Sequence, residues 1–139
     1  EGATDRASFK NFSFNFDSAA GIIYTVDVTK PKGEKVTITS MADGTPFSLD
    51  KMYKVALNSY RGNGGGELLT KGSGISQDEL KDRILYSTDK DLRYYLMQYI
   101  EKKGVIEPHA LGQWKFIPEE WVEPAAKRDY EYLFGKVEK

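Results

Sequence analysis

Phe12, Phe14 and Phe16 are separated by Ser13 and Asn15. That two-residue period is the signature of a half-buried strand or an extended loop. Gly21-Ile22-Ile23-Tyr24-Thr25-Val26-Asp27-Val28 follows, β-branched and aromatic, and predicts a strand. Lys30-Pro31-Lys32-Gly33 turns the chain. Residues 35–39 alternate Val36 and Ile38 with Thr37 and Thr39 and predict a second strand, followed by the turn signal Ala42-Asp43-Gly44-Thr45. Residues 52–58, Met-Tyr-Lys-Val-Ala-Leu-Asn, predict a third. It runs into a glycine cluster, Gly62-Asn63-Gly64-Gly65-Gly66.

The second half changes period. Ser76 and Glu79 have the spacing of a capping box, with Leu80 and Ile84 on one helical face behind them. Thr88 and Asp91 have the same spacing and open a longer helix with an apolar face of Leu92, Leu96, Tyr99 and Ile100. Gly104 is its natural stop. Trp114-Lys115-Phe116-Ile117 predicts a short strand ended by Pro118, and Pro124 suits the first turn of a last helix carrying Ala126, Tyr130, Leu133 and Phe134. Strands first and helices after make an α+β domain, residues 1–139 forming one unit without linker or repeat.

Composition narrows the chemistry. In 139 residues, 20 Lys+Arg balance 21 Asp+Glu, a net charge of −1. A grip on a nucleic-acid polymer needs a strongly basic surface, so that class is set aside. No apolar run approaches the roughly 18 residues of a membrane span. Zero cysteines remove disulfides, zinc–thiolate sites and thiol nucleophiles. His109 is the single histidine, so this chain builds no multi-histidine metal site, and its setting in Glu107-Pro108-His109-Ala110 reads as a surface loop. Aromatic residues make up 13% of the chain, with 9 Tyr and 7 Phe. Much of this belongs to a core, and some of it suits a stacking surface.

The glycine cluster is the segment that composition alone flags. It is not a phosphate-binding P-loop, because Thr70-Lys71-Gly72 inverts the required order. It is not G-x-G-x-x-G, because Glu67 stands where the last glycine belongs. Two readings stay open: a flexible hairpin turn, or a bend that lets a ligand approach the backbone. In the second, a base would stack on Tyr60 and Arg61 would meet a charged group.

Tyr53-Lys54-Val55-Ala56-Leu57-Asn58-Ser59-Tyr60-Arg61-Gly62-Asn63-Gly64-Gly65-Gly66 resembles the signature of the 5′-nucleotidase C-terminal domain. Asn15-Phe16-Asp17-Ser18-Ala19-Ala20-Gly21-Ile22-Ile23-Tyr24-Thr25-Val26-Asp27-Val28-Thr29-Lys30-Pro31 is similar to an earlier stretch of the same domain, in the right order and at the right spacing. The resemblance spans roughly residues 9–117. It implies a layered α/β/β/α fold with mixed sheets and flanking helices, whose N-terminal part would precede residue 1. It implies a two-domain enzyme, a 5′-nucleotidase or a 2′,3′-cyclic-nucleotide phosphodiesterase that is also a 3′-nucleotidase, periplasmic, secreted or at the cell surface. Two divalent metals and the catalytic residues would sit on an N-terminal metallophosphoesterase domain of the same polypeptide, with no cofactor, metal or catalytic group in this chain.

Carried over by position, this chain would hold the nucleotide or nucleoside by its base between two aromatic rings. The second ring falls on Tyr60, beside Arg61, Asn63, Gly64, Gly65 and Gly66. The first falls on Phe16, with Phe14 its rival and Phe12 turned to the core. Three features depart from typical 5′-nucleotidases. Gly66 replaces an Asp that binds ribose hydroxyls, Glu67-Leu68-Leu69 replaces an aromatic after the loop, and the phosphate-gripping arginines would lie upstream of residue 1. The pair Tyr60-Arg61 is more like the cyclic-nucleotide branch. The rival expectations are a nucleoside-binding module without coupled hydrolysis and a structural domain whose aromatics are all core.

Overall fold

The structure, a computed structural model, describes residues 15–135. They form two compact units, one of residues up to 51 together with those from 111, the other of residues 52–110. Phe12 and Phe14 lie outside the described residues.

The first unit is built on a mixed three-stranded sheet of order β2-β1-β3, where β1 is Ile22–Asp27, β2 is Val36–Met41 and β3 is Trp114–Ile117. β2 runs antiparallel to β1 and β3 parallel to it. The turn between β1 and β2 is closed by Asp27, whose Oδ1 accepts from the Thr29 amide at 3.0 Å and the Thr29 hydroxyl at 2.6 Å, an Asx-type turn. The Lys35 ammonium donates to the carbonyls of Val28 and Lys30. The pairing slips between Ile23 and Tyr24, so that Ile23 faces Ser40 but Tyr24 faces Ile38. This bulge leaves Tyr24 as the buried residue of the sheet, 8% exposed, opposite Ile38 on one side and Trp114 on the other.

Helix α4, Glu119–Phe134, follows β3 through a cis Ile117–Pro118 bond. It begins five residues earlier than the position of Pro124 suggests. Pro118, not Pro124, is the entry residue, its carbonyl accepting from the amides of Trp121 and Val122 at 3.2 and 3.3 Å. Glu119 and Glu120 fill the first turn, where negative charge meets the positive end of the helix dipole. Pro124 is carried inside the helix. Its ring removes one backbone donor that would otherwise reach the Glu120 carbonyl.

In the second unit, Ser59–Gly62 is a single helical turn, α1, followed by a 3₁₀ turn, Gly65–Glu67, and a π turn, Leu68–Gly72. The glycine cluster is thus a chain of tight turns and not a hairpin. α2 is Gln77–Asp82 and α3 is Leu92–Lys103. The Ser76–Glu79 capping box forms as the spacing requires, and Leu80 behind it is 4% exposed. Of the pair that opens α3, Asp91 is the cap, accepting the Tyr94 amide at 3.0 Å, while the Thr88 hydroxyl donates to the Lys90 carbonyl. Gly104 ends α3. The expected apolar face of α3, Leu92, Leu96, Tyr99 and Ile100, is exposed.

The third predicted strand, residues 52–58, is not a strand. No described segment pairs with it, and Met52 and Val55 are exposed. β-branched and aromatic residues suit a half-buried pleated surface, and without a neighbouring strand that preference has nothing to act on. Among the described residues the fold class is α+β, a small mixed sheet with helices. No helix among them is long and apolar enough to cross a membrane.

Candidate functional site

The glycine loop is organised around Tyr60 and Arg61. Asn58 caps α1, its Oδ1 accepting the Arg61 amide at 2.8 Å, which sets both residues at the start of the turn. Tyr60 keeps 57% of its surface exposed. Gly65 lies against its ring, so closely that a Cβ there would sit 2.6 Å from Tyr60 Cδ2 and Cε2 and 2.5 Å from the Tyr60 carbonyl oxygen. Only a residue without a side chain admits this approach. Arg61 is 6% exposed, its Nη1 donating to the Gly65 carbonyl at 3.1 Å and its Cζ 5.3 Å from the Tyr60 ring centroid.

Asn63 and Gly64 seat the loop on α2. The Gln77 side-chain amide donates to the Asn63 carbonyl at 3.0 Å. Gly64 has φ +89°, and a Cβ on it would meet Gln77 Oε1 at 2.7 Å and Leu80 Cδ1 at 3.2 Å. Gly66 also takes a left-handed φ, +71°, and so does Glu67, at +60°. Glu67 pairs with Lys71 at 2.6 Å, both side chains mostly exposed. Gly64 and Gly65 therefore let neighbouring side chains pack directly on the backbone, and Gly66 is exposed beside them.

Phe16 belongs to the other unit and is 59% exposed. Alternation along β3 puts Trp114 and Phe116 on one face, and the parallel register puts Tyr24 beside Trp114. Tyr24 stacks on Trp114 with centroids 6.0 Å apart and planes 12° from parallel. Trp114 meets Phe116 edge-on at 5.0 Å. Phe16 rests against both, 5.7 Å from Trp114 and 6.3 Å from Phe116. The support given by Trp114 and Phe116 was not foreseen from the sequence. The spacing Trp114-x-Phe116 is the one signal that pointed to it.

The titratable groups that depart from ordinary values belong to turns and caps. Hydrogen bonds from Thr29 lower Asp27, those from Thr45 lower Asp43, those from Ser76 lower Glu79, and that from Lys115 lowers Glu119. Among the described residues no group of three or more His, Asp or Glu is placed to hold a metal ion. His109 is exposed, with Nδ1 3.3 Å from the Glu107 carbonyl oxygen. These residues do not fit a two-metal centre, and no chemical step is assigned to a metal in this chain. An open groove beside β2, lined by Val36, Thr37, Ile38, Phe47 and Leu49, offers a ligand only the Thr37 hydroxyl as a side-chain hydrogen-bonding group.

Residues 3–71 match the family described as 5′-nucleotidase, C-terminal domain. The chain is 31% identical over 121 residues to the trifunctional nucleotide phosphoesterase protein YfkN of Bacillus subtilis, a match that covers 78% of this chain and 8% of that protein. It is 29% identical over 121 residues to the 2′,3′-cyclic-nucleotide 2′-phosphodiesterase/3′-nucleotidase of Haemophilus influenzae, covering 76% of this chain and 17% of that protein. The chain thus spans a small part of the length of the curated relatives it matches. No solved structure matches it at a significant level. The matched stretch contains β1, β2, Phe16 and the whole Tyr60–Gly66 loop, and over it the chain belongs to the 5′-nucleotidase C-terminal domain family.

Proposed function

We propose that this chain is the substrate-binding part of a metal-dependent nucleotide phosphohydrolase, offering Tyr60 in one unit and Phe16 in the other as rings for nucleobase stacking. The observation that carries the reading is the exposed Tyr60 ring packed against the Gly65 backbone. A partly exposed, supported aromatic ring is a stacking platform that tolerates every base. Phe16, exposed and backed by Trp114 and Phe116, has the same character within its own unit. Divalent metals bound on a metallophosphoesterase domain would activate water and polarise the phosphate ester. The share of this chain is orientation.

Support for a 3′- or 2′,3′-cyclic phosphate comes from Gly66, which offers no carboxylate to claim free ribose hydroxyls. The name of the Haemophilus influenzae relative agrees with that class, while that of the Bacillus subtilis relative gives nucleotide phosphoesterase only. The test is titration of the chain with adenosine and adenosine 3′-phosphate, followed by NMR. Tyr60→Ala and Phe16→Ala should each weaken binding about tenfold, since a stacked base contributes about 1–3 kcal/mol. Affinity unchanged in both variants would overturn the reading.

A further inference from the structure

We propose that Arg61 is a positioning residue: it holds the Tyr60 ring as a preset platform, acting through that ring and the Gly65 carbonyl without touching the ligand. The inference rests on the stacking reading of Tyr60 and assigns Arg61 a role the sequence alone did not suggest. An arginine that receives a phosphate presents its guanidinium to solvent. Arg61 is buried, with one N–H committed to the Gly65 carbonyl at 3.1 Å. A guanidinium keeps its charge at every accessible pH, so its burial needs partners that accept that charge. The Gly65 carbonyl is one, and the Tyr60 π-face, 5.3 Å from Cζ to the ring centroid, is another. Gly65 both packs against the ring and anchors the guanidinium. Ring, cation and glycine therefore form one interlocked set. A ring fixed in advance loses less freedom when a base stacks on it.

The first readout needs no ligand. In the wild-type chain the Tyr60 ring current should displace the Gly65 Hα resonances in NMR, and Tyr60→Ala should abolish that displacement. Arg61→Gln should move these protons most of the way to the Tyr60→Ala position while the Leu80 methyl signals stay put. If Leu80 shows that Arg61→Gln unfolds the loop, Arg61→Lys, which keeps the charge and loses the planar fork, carries the same comparison. A wild-type Gly65 Hα position in the folded variant overturns the proposal.

The second readout is affinity. Arg61→Gln should weaken adenosine and adenosine 3′-phosphate by the same factor, about three- to tenfold, and cost nothing further in a Tyr60→Ala background. A loss confined to the phosphorylated ligand, or one that persists without Tyr60, shows direct contact and overturns the proposal. Should Tyr60→Ala leave adenosine affinity unchanged, the stacking reading itself fails, whatever the Gly65 protons show.

Discussion

A methyl group at position 65 would strike Tyr60 at 2.5–2.6 Å, while one at position 62 would meet nothing within 4 Å. Two glycines of one cluster thus have opposite meanings. Gly65→Ala should destabilise the chain by about 1–3 kcal/mol, as overpacking does. Gly64→Ala adds the left-handed φ of +89° to a contact of 2.7 Å and should cost at least about 1–2 kcal/mol. Gly62→Ala, in a helical turn, should be neutral or favourable by up to about 1 kcal/mol. Urea denaturation of the three variants checks the order. The glycine run was conspicuous in the sequence, but a hairpin turn and a ligand-facing bend both stayed open there. The burial of Arg61 was not legible, since charge alone suggests exposure, and the Gly65 carbonyl and the neighbouring ring are among the partners that make burial tolerable.

Helix α2 shows how far a local signal reaches. Ser76 Oγ accepts the Glu79 amide at 3.3 Å, and Glu79 Oε2 accepts the Ser76 amide at 3.0 Å and the Ser76 hydroxyl at 2.9 Å. All partners lie within four residues, so spacing suffices to foresee the cap. Loss of the cap in Ser76→Ala should cost about 1 kcal/mol. The Ser76 amide and hydroxyl, with Arg83 nearby, hold the Glu79 carboxyl below its ordinary 4.5. The unfolded chain therefore binds that proton more readily than the folded one. The contribution of Glu79 is complete above pH 4.5 and is lost as pH falls through the lowered value. NMR titration of the Ser76 amide between pH 6 and pH 2 should follow that loss, and Glu79→Gln should flatten it. Residues 52–58 mark the opposite limit. Their apolar character predicted a strand, but a strand is a pair, and the pair is not local. Pro124 was misplaced for a related reason: Pro118, six residues earlier, already supplied the entry, and the helix ran on through the second proline.

Across the chain there is one histidine and no cysteine, so a multi-histidine or thiolate metal site has no donors here. Incubated with Mg²⁺, Mn²⁺ or Zn²⁺, the chain alone should release no phosphate from 5′-AMP or 3′-AMP and open no 2′,3′-cyclic AMP, while still binding adenosine. Chromatography of the nucleotides together with a phosphate assay checks this, and metal-stimulated turnover by the pure chain would defeat it.

The sequence by itself determined the α+β class, the strands β1, β2 and β3, the caps of α2 and α3, and the candidate ring at Tyr60. Each depends on side-chain period or on partners a few residues away. Tertiary structure decided the rest. The parallel pairing of Tyr24 with Trp114, 90 positions on, builds the slab against which Phe16 rests. The close approach of the Tyr60 ring to Gly65 fixes the path of the glycine run. The physical reason is the same in both cases: what an aromatic ring does is set by what lies against its faces, and those neighbours are chosen by register and backbone path, not by the identity of the ring.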